Sequence, residues 1–457
     1  MEIVRRLVAL RRGPVTLAAV ALLLAAGAAA GWAQGSFYME VPKEGRIYVF
    51  NLMTVYEEWR KTGEMGKSIT RVGAGPAGET LIFDSEEAIH LYNFRHGLPG
   101  EVLIKPEEKK PAMKVSWKDG KTSIETDKAA LIVSNRVQFR YTHEQPDMGD
   151  SKGSFRVRRA KTKFEGWIYT KNLTYELQMN WADTSNLGTT QQKFLEDALL
   201  NYDLTRGRKA LQIRGGQFKV PFGRQELTSS GSQQFVDRSI VSAEFARGRD
   251  IGLQIWGQTP KGTWEWRTGM FNGNGVNRSS NDNDRFQVNG RVTWQPFGDV
   301  KYSESDFEST DRPLLAVAAQ YEQNNSQAPD PNGSQFDREV FGGDVVFKYK
   351  GLSLFGEYFR RVNEPENAAA ADFDTAGWHA QAGWFVYKRF VEVAGRYAVI
   401  DPSDIAAAND HMIERGAALN WYINKHNLKL QSDYRQIENE LTDRTNDEYR
   451  LQAQWIF

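Results

Sequence analysis

The last ten residues of the chain, Glu448 to Phe457, read E-Y-R-L-Q-A-Q-W-I-F and decide the fold. Alternate positions from Tyr449 to Phe457 are apolar or aromatic, and the other face carries the polar residues Glu448, Arg450, Gln452 and Gln454. Side chains of a β-strand alternate between two faces, so this pattern predicts a strand with one apolar and one polar side. Its length matches the roughly 9–11 residues with which a tilted strand crosses a bilayer. We therefore expect a terminal transmembrane strand whose apolar face meets lipid.

The same alternation returns throughout the chain from Leu131 onward. In Leu173 to Trp181 every second residue is large and apolar, and the residues between are polar. We predict sixteen such strands, and a single-chain bacterial barrel requires an even number. The predicted strands are residues 131–142, 154–169, 173–181, 193–205, 209–219, 248–258, 262–271, 284–296, 313–322, 336–349, 351–361, 375–387, 390–400, 411–423, 427–437 and 446–457.

The predicted fold is all-β, a sixteen-stranded antiparallel transmembrane β-barrel at residues 129–457. Connections alternate between short and long, as they do between the periplasmic and outer ends of such barrels. Phe297 to Arg312 breaks this rule, because it is a long acidic connection on the short side. Either a strand is wrongly divided there, or the connection is a true periplasmic excursion. A soluble β-sandwich or β-propeller is the alternative fold, but the repeated motifs of propeller blades do not occur.

The first 33 residues have the features of a cleaved secretory signal. Four arginines precede the apolar run Val15 to Ala30, and Ala33 follows among small residues. A membrane anchor is the alternative, although the run is Ala-rich and short for a spanning helix. Export through such a signal predicts a location in the outer membrane of a Gram-negative bacterium, with outer-membrane lipid around the barrel.

Composition excludes several classes of function. The chain has no cysteine, which rules out thiolate metal sites, cysteine nucleophiles and attached haem, and we expect no cofactor. The formal net charge is zero, so nothing favours nucleic acid as a partner. Mean hydropathy is low, at -0.57, but half of every barrel strand is polar. The 12% aromatic content suits the aromatic girdles at membrane surfaces.

Residues 34–128 read as a small mixed α/β periplasmic segment with a linker. Its predicted parts are strands at Arg46 to Phe50 and Glu79 to Phe83, helices at Met53 to Lys61 and from Asp84 or Ser85 to about Phe94, a charged linker at Lys105 to Pro111, and an extended stretch at Met113 to Asp127.

Gly73 to Gly78 spells G-x-G-x-x-G, the chain's one nominal nucleotide motif. A dinucleotide site needs a helix N-terminus directly after the glycines. Here Pro76 interrupts the motif and a predicted strand follows. We therefore expect a glycine-rich turn between two strands.

Several stretches of the predicted barrel resemble the phosphate-selective porin O and P family, in the family's order. They are Phe155 to Gly166 (F-R-V-R-R-A-K-T-K-F-E-G), Gly216 to Arg224 (G-Q-F-K-V-P-F-G-R), Phe235 to Ser239 (F-V-D-R-S), Gly248 to Gly252 (G-R-D-I-G) and Phe271 to Gly275 (F-N-G-N-G). The likeness covers about Met113 to Phe457.

The resemblance implies an outer-membrane porin, usually a homotrimer, in which the connection Val220 to Arg247 narrows the pore. It also implies a path for small inorganic or organic anions such as phosphate, lined by arginines and lysines. Candidates for this path are Arg136, Arg140, Arg159, Lys161, Lys163 and Arg214 on strands, with Arg224 and Arg238 on the connection. The alternative is that these are ordinary solvated residues balanced by carboxylates, such as Glu226, Asp237 and Glu244 on the same connection.

The second strand has five cationic residues between Arg156 and Lys163, and strict alternation cannot place all of them in the lumen. Arg159, Lys161 and Lys163 share one face, and Arg156 shares the other face with Arg158. Either a bulge resets the register near Arg158, or the first pair lies above the hydrocarbon layer. A charge facing lipid at mid-depth costs roughly 2–4 kcal/mol, so the three-residue ladder should face water.

Two other functions compete with a porin. An outer-membrane enzyme would need histidine beside serine or aspartate, and the histidines are scattered at positions 90, 96, 143, 379, 411 and 426. We therefore do not expect an enzyme. A barrel that sheathes a partner protein, as in a conduit or an assembly complex, is the second alternative.

Overall fold

The structure is a computed structural model, and its chain divides into two compact units, Met1–Glu108 and Lys109–Phe457. The predicted signal and the linker at Lys105 to Pro111 lie outside the described residues. None of the helices among those residues is long and apolar enough to span a membrane. The structure describes residues 37–98, 113–182, 194–278, 280–281, 283–325, 336–365, 371–405 and 409–457.

The first unit is a four-stranded sheet with two helices, and the sequence analysis predicted both helices and two of the four strands. The sheet order is β1-β2-β4-β3, with β2 and β4 parallel and the other pairs antiparallel. Its elements are β1 (Met39–Lys43), β2 (Arg46–Phe50), α1 (Met53–Thr62), β3 (Ile69–Arg71), β4 (Thr80–Phe83) and α2 (Glu86–His96).

Local sequence signals set the boundaries in this unit. The Ser85 hydroxyl accepts a hydrogen bond from the Ala88 amide at 3.0 Å and caps α2, which ends at Gly97 in the left-handed conformation. The glycine-rich motif forms the turn between β3 and β4, with positive φ at Gly73 and Gly78. The prediction of a turn is therefore confirmed.

The second unit contains a hairpin and a closed barrel of sixteen strands, each antiparallel to its neighbours, which confirms the predicted fold class. The hairpin strands are β5 (Lys114–Lys118) and β6 (Lys121–Glu125). The barrel strands are β7 (Ala129–Gln145), β8 (Lys152–Ile168), β9 (Thr170–Asn180), β10 (Leu195–Asp203), β11 (Gln212–Lys219), β12 (Arg249–Gln258), β13 (Trp264–Phe271), β14 (Gln287–Trp294), β15 (Leu314–Asn324), β16 (Phe336–Tyr349), β17 (Leu352–Pro365), β18 (Phe373–Tyr387), β19 (Val391–Asp401), β20 (Met412–Asn424), β21 (Leu428–Asn439) and β22 (Arg444–Ile456).

The stretch Met113 to Asp127 is not the extended lead-in that the sequence suggested. It folds into the β5–β6 hairpin, and β6 pairs with the first part of β7. Gly120 at the hairpin turn has a φ of +74° and lies against the carbonyl of Ile456, so a side chain there would collide with the end of β22. The hairpin therefore prolongs the wall next to the C-terminus.

The barrel closes where β22 pairs with β7, as predicted. Backbone hydrogen bonds of 2.7 and 3.0 Å join Asn135 to Phe457. Gln452 and Gln454 are buried in the lumen, whereas Leu451 is 55% exposed on the outer surface. The alternation read from the last ten residues thus divides lumen from lipid.

Deleting the last three residues, or replacing Phe457 by aspartate, should prevent stable assembly. Deletion removes the pairs of Trp455 with Val137 and of Ile456 with Arg136, and so opens a strand edge in lipid. We expect loss of heat-modifiable migration in outer-membrane fractions. The matched control is Phe457→Leu, which keeps an apolar end and should migrate normally. Normal migration of the aspartate variant would contradict this account of closure.

The two ends of the barrel differ. Short connections such as residues 350–351 and 425–427 define the turn end, and longer ones such as residues 146–151 define the loop end. Residues 295–313, between β14 and β15, belong to the turn end and contain no strand. No strand was wrongly divided there. The connection is long, and it folds into the lumen, where Val300, Ser305 and Asp306 are buried.

A β-bulge lies at Arg158 on β8. Gln138 of β7 pairs with Arg159, whereas the next residue, Phe139, pairs with Val157. The extra residue resets the register, so Arg159 and Arg156 both face the lumen side while Val157 faces outward. Of the two alternatives given for the five cations of the second strand, the structure therefore shows the bulge.

Candidate functional site

The long connection between β11 and β12, residues 220–248, lies inside the barrel, and we name it the constriction loop. It contains two short helices, α3 (Arg224–Leu227) and α4 (Ile240–Phe245). Phe222 and Phe245 pack on Phe359 of β17, with ring centroids 5.5 and 5.3 Å apart. These buried rings form the apolar attachment of the loop to the wall.

The backbone of the constriction loop is held by polar side chains. They come from strands β15 to β21 and from the connection at residues 295–313. Each accepts a hydrogen bond from a loop amide, which would otherwise be a buried donor without a partner. The carboxylate acceptors among them are buried and thus point away from the water-filled space. The bonds run from Gly223 to Gln320 (2.9 Å), Gln225 to Glu357 (3.2 Å), Gln234 to Glu304 (2.8 Å), Val236 to Asp433 (2.9 Å) and Ile240 to Glu414 (2.7 Å).

Asp237 joins the constriction loop to an arginine cluster on β7, β8 and β22. Its carboxylate lies 2.7 Å from Arg140, 3.5 Å from Arg450, 3.6 Å from Arg158 and 3.7 Å from Arg159. Burial alone would raise the pKa of Asp237, but the guanidinium groups outweigh it and hold the pKa well below its ordinary value. Arg450 also pairs with Asp433 at 2.7 Å and with Glu448 at 3.2 Å, whereas Arg140 has Asp237 as its ion-pair partner among the described residues.

A cavity of about 480 Å³ lies between the constriction loop and the wall made by β7 to β13. Ten cationic and three carboxylate side chains line it. The cations are Arg136, Arg158, Arg159, Lys161, Lys163, Arg214, Lys219, Arg238, Arg249 and Arg267, and the carboxylates are Glu176, Glu196 and Asp197.

The three-residue ladder of β8 faces this cavity, as alternation predicted, and carboxylates contact part of it. Lys161 lies 2.5 Å from Glu196. Lys163 lies 2.7 Å from Glu165 and 3.0 Å from Glu176. The alternative that carboxylates balance these residues is therefore correct for the two lysines.

Arg136 and Arg214 differ from the lysines, because neither forms an ion pair with any part of the chain that the structure describes. Arg136 donates to the hydroxyls of Ser229 and Ser230 at 2.8 and 3.2 Å. The Arg214 guanidinium lies 5.4 Å from the ring of Phe218 and also stacks on Trp256. The groups in direct contact with both arginines are neutral, so the two guanidinium groups add to the positive charge of the wall.

Six of the eight cations selected from the sequence line the cavity: Arg136, Arg159, Lys161, Lys163, Arg214 and Arg238. The other two, Arg140 and Arg224, do not line it. Arg140 is fully buried and held by Asp237 and by Gln452 of β22. Arg224 turns away toward the turn end, where it donates to the carbonyl of Val300 at 2.7 Å and lies 4.4 Å from the Tyr302 ring.

Four more cations line the cavity: Arg158, which belongs to the cationic run of the second strand in the sequence analysis, and Lys219, Arg249 and Arg267, which sequence reasoning did not select. For Arg267 the alternation of the strand carries the information. Trp264 and Met270 of the same strand are exposed on the outer surface, so alternation places residue 267 inside the barrel. For Lys219 and Arg249 no such signal exists. They flank the constriction loop, and the loop's path decides what they face.

The two halves of the lumen differ in charge although the chain as a whole is neutral. Acidic side chains of β17 to β21 are buried under the constriction loop as acceptors of its amides. The cationic side chains of β7 to β13 remain around the open cavity. Charge segregation of this kind gives a neutral chain a cationic path.

The barrel fold agrees with solved outer-membrane proteins at low sequence identity. An anion-selective porin from Comamonas acidovorans aligns over 72% of this chain and all of its own, with 12% identity and a TM-score of 0.51. The outer membrane channel DcaP of Acinetobacter baumannii aligns over 73% of this chain and 99% of its own, also with 12% identity and a TM-score of 0.51.

A sequence relative and a family match extend the comparison. An uncharacterized protein of Aquifex aeolicus (strain VF5) is 22% identical over 424 residues, which cover 80% of this chain and 97% of the relative. Residues 133–457, well over half of the chain, match the family described as phosphate-selective porin O and P. The chain therefore belongs to the phosphate-selective porin O and P family, and its barrel is an outer-membrane porin.

Proposed function

We propose that this porin prefers anions and passes phosphate or similar small oxyanions. The observation that carries the proposal is the cationic wall, where ten positive and three negative side chains surround one cavity. Rings or walls of one sign of charge set the ion preference of a pore. Guanidinium forks also match the paired oxygens of phosphate-like anions.

Similar proteins support the same preference. The family is described as phosphate-selective, and the Comamonas acidovorans porin of the same fold is described as anion-selective. Among cavity-lining residues, Arg136 and Arg214 are the strongest candidates to contact the solute, because no carboxylate competes for them in the described residues. The barrel-sheath alternative fits less well, since two segments of this chain already occupy the lumen.

The test is the reversal potential of the purified porin in planar bilayers under a potassium chloride gradient, followed by block with added phosphate. We expect an anion-favouring potential at low salt that weakens as ionic strength rises, because screening shortens the reach of the wall charges. Phosphate should lower the chloride current. A cation-favouring potential at low salt would refute the proposed preference.

The turn end faces the periplasm in this proposal, since short connections lie on that side of bacterial barrels. Strand β7 begins at the turn end, and the first unit precedes it in the sequence. Residues 34–128 would therefore lie in the periplasm, after removal of residues 1–33 as a signal. Residues 129–457 would then be the transmembrane domain.

A homotrimer is part of the proposal, and strand lengths support it. Strands β11, β13 and β14 have 8 residues each, whereas β16 to β18 have 14 or 15. Eight residues fall short of the roughly 9–11 that a bilayer crossing takes. A wall this low, with Leu253 and Val292 exposed on it, suits contact with another copy. Light scattering of the detergent-extracted protein measures the assembly.

A chain that starts at Met113 behind a signal peptide should still insert and conduct. The first unit has its own core, which includes Val49, Phe83 and Tyr92. The shortened chain keeps the β5–β6 hairpin that pairs with β7. We expect single-channel conductance equal to that of the parent. Retention of this chain in the periplasm would show that the first unit is needed to build the barrel.

A further inference from the structure

The inward connection at the turn end, residues 295–313, approaches the constriction loop from the opposite end of the barrel. Glu304, which is 5% exposed, contacts that loop directly. Its carboxylate accepts hydrogen bonds from the Gln225 side chain at 3.0 Å and from the Gln234 amide at 2.8 Å. It also accepts one from Gln381 of β18 at 2.9 Å, while its own amide donates to the Ser232 carbonyl at 3.0 Å.

Tyr302 on the same connection contacts the cationic wall. Its hydroxyl donates to Glu265 at 2.9 Å, and Glu265 binds Arg267 through two bonds of 3.0 Å. The guanidinium of Arg267 lies 5.4 Å from the Tyr302 ring, and that of Arg224 lies 4.4 Å from it. One aromatic ring therefore lies between a cation of the wall and a cation of the constriction loop.

The base of the connection is itself fixed to the barrel. Lys348 of β16 donates to the carbonyls of Ser303 and Ser305 at 2.6 and 3.1 Å. Asp306 accepts a hydrogen bond from the Gly351 amide at 2.8 Å, and Phe307 packs on Tyr422 at 4.7 Å. Contacts on strands and turns across the barrel make this connection a rigid support.

We infer that residues 295–313 set the width and the charge of the pore from the turn end, with Glu304 and Tyr302 as the positioning residues. Glu304 holds the constriction loop through Gln225 and Gln234, and Tyr302 holds Arg267 of the cavity wall through Glu265. This inference rests on the proposed anion path for the role of Arg267. The support of the constriction loop by Glu304 does not depend on which ion passes.

The test uses the full-length porin and the variants Glu304→Gln and Tyr302→Phe in planar bilayers. In Glu304→Gln the new side-chain amide replaces the carboxylate. The groups that donate hydrogen bonds to residue 304 then lack a charged acceptor. We expect the pore to spend about ten times more of its time away from the parent conductance level. A tenfold change in an equilibrium is the order expected when one hydrogen bond to a charged group is lost. Tyr302→Phe should keep the conductance level and shift the reversal potential toward cations, because Glu265, which positions Arg267, loses the hydrogen bond from the Tyr302 hydroxyl and with it part of the compensation of its negative charge.

Glu308→Gln is the matched control, since Glu308 lies on the same connection but is exposed and pairs with Lys301. It should behave as the parent. If Glu304→Gln does not assemble, Glu304→Asp, which keeps the charge but shortens its reach, takes its place. Parental conductance levels in the assembled Glu304 variant, together with a parental reversal potential in Tyr302→Phe, would overturn the inference. A parent that prefers cations, with an unstable level in Glu304→Gln, would refute the proposed anion preference and leave the supporting role intact.

Discussion

Replacing Arg159, Lys161 and Lys163 together by glutamine should strongly lower the anion preference of the pore. The substitutions remove three positive charges from one wall of the cavity. They leave in place the carboxylates that these residues contact, notably Glu196 beside residue 161 and Glu176 beside residue 163. Seven cations then face three carboxylates around the cavity, so the wall stays positive by a much smaller margin. The reversal potential under a salt gradient measures this change directly.

The matched control is the double variant Arg136→Gln with Arg214→Gln. These residues also line the cavity, but they form no ion pair within the described residues, so their loss uncovers no carboxylate. We expect this double variant, which removes two positive charges instead of three, to lower the anion preference less than the triple variant does. The difference between the two variants should shrink as salt rises, since the Debye length falls from about 10 Å at 0.1 M to about 3 Å at 1 M.

Assembly should survive both sets of changes, because the residues line the cavity inside the barrel and the outer face of β8 is unchanged. Normal heat-modifiable migration checks this before any electrical measurement. A triple variant that assembles and keeps the parental reversal potential would show that the ladder does not control the preference.

Asp237→Asn should detach the constriction loop from the arginine cluster and destabilise the porin. The carboxylate lies within 4 Å of Arg140, Arg158, Arg159 and Arg450, and Arg140 is fully buried. Removing one partner from a buried charge cluster costs about 3–5 kcal/mol, because the remaining charges lose their compensation. We expect unfolding at lower temperature and an unstable conductance level.

Glu244→Gln is the control for this loss. Glu244 also lies on the constriction loop and pairs with Arg361 at 2.7 Å, but its side chain is 41% exposed. Exposed pairs contribute only about 0–1 kcal/mol, so this variant should unfold close to the parent. Equal unfolding temperatures for the two variants would contradict the central role of Asp237.

The pH dependence of the same contact has a definite sign. The pKa of Asp237 is held well below its ordinary value, so its contribution to stability is complete above that ordinary value. It is lost only as pH falls through the depressed pKa of the folded state. The constriction loop of the parent should therefore stay anchored in mildly acidic solution, where conductance levels can be compared with those of Asp237→Asn at neutral pH.

The barrel was predictable from sequence because lipid imposes a strict period of two on every strand. The sixteen strands, the closure of β22 on β7 and the lumen-facing ladder on β8 all follow from that period. The cations between Arg156 and Lys163 fall on both faces of a regularly alternating strand, which indicated a bulge. The pairing of β7 with β8 shows this bulge at Arg158. The sequence could not choose between the bulge and a pair above the membrane, because the partner strand decides the register.

The interior of the lumen was less predictable, because the segments that fill it follow no period. Arg140 faces inward as alternation predicts, but its partner Asp237 is 97 residues away on the constriction loop. The long connection at residues 295–313 was noticed as an exception, but nothing in its composition shows that Glu304 meets Gln225 from the other end of the barrel. Contacts between two inward segments depend on three-dimensional paths that a linear pattern does not encode.

The separation of acidic and basic side chains between the two halves of the barrel has a consequence for how this porin can evolve. The acids that anchor the constriction loop, such as Glu357 and Glu414, come from the later strands, whereas the cations of the path come from the earlier ones. Mutations in the first half that spare the arginines bound to Asp237 can therefore retune the permeating solute while the loop stays attached. Mutations of the anchoring acids have no such freedom. Among related porins that differ in solute preference, the sequence differences responsible should lie mainly between β7 and β13.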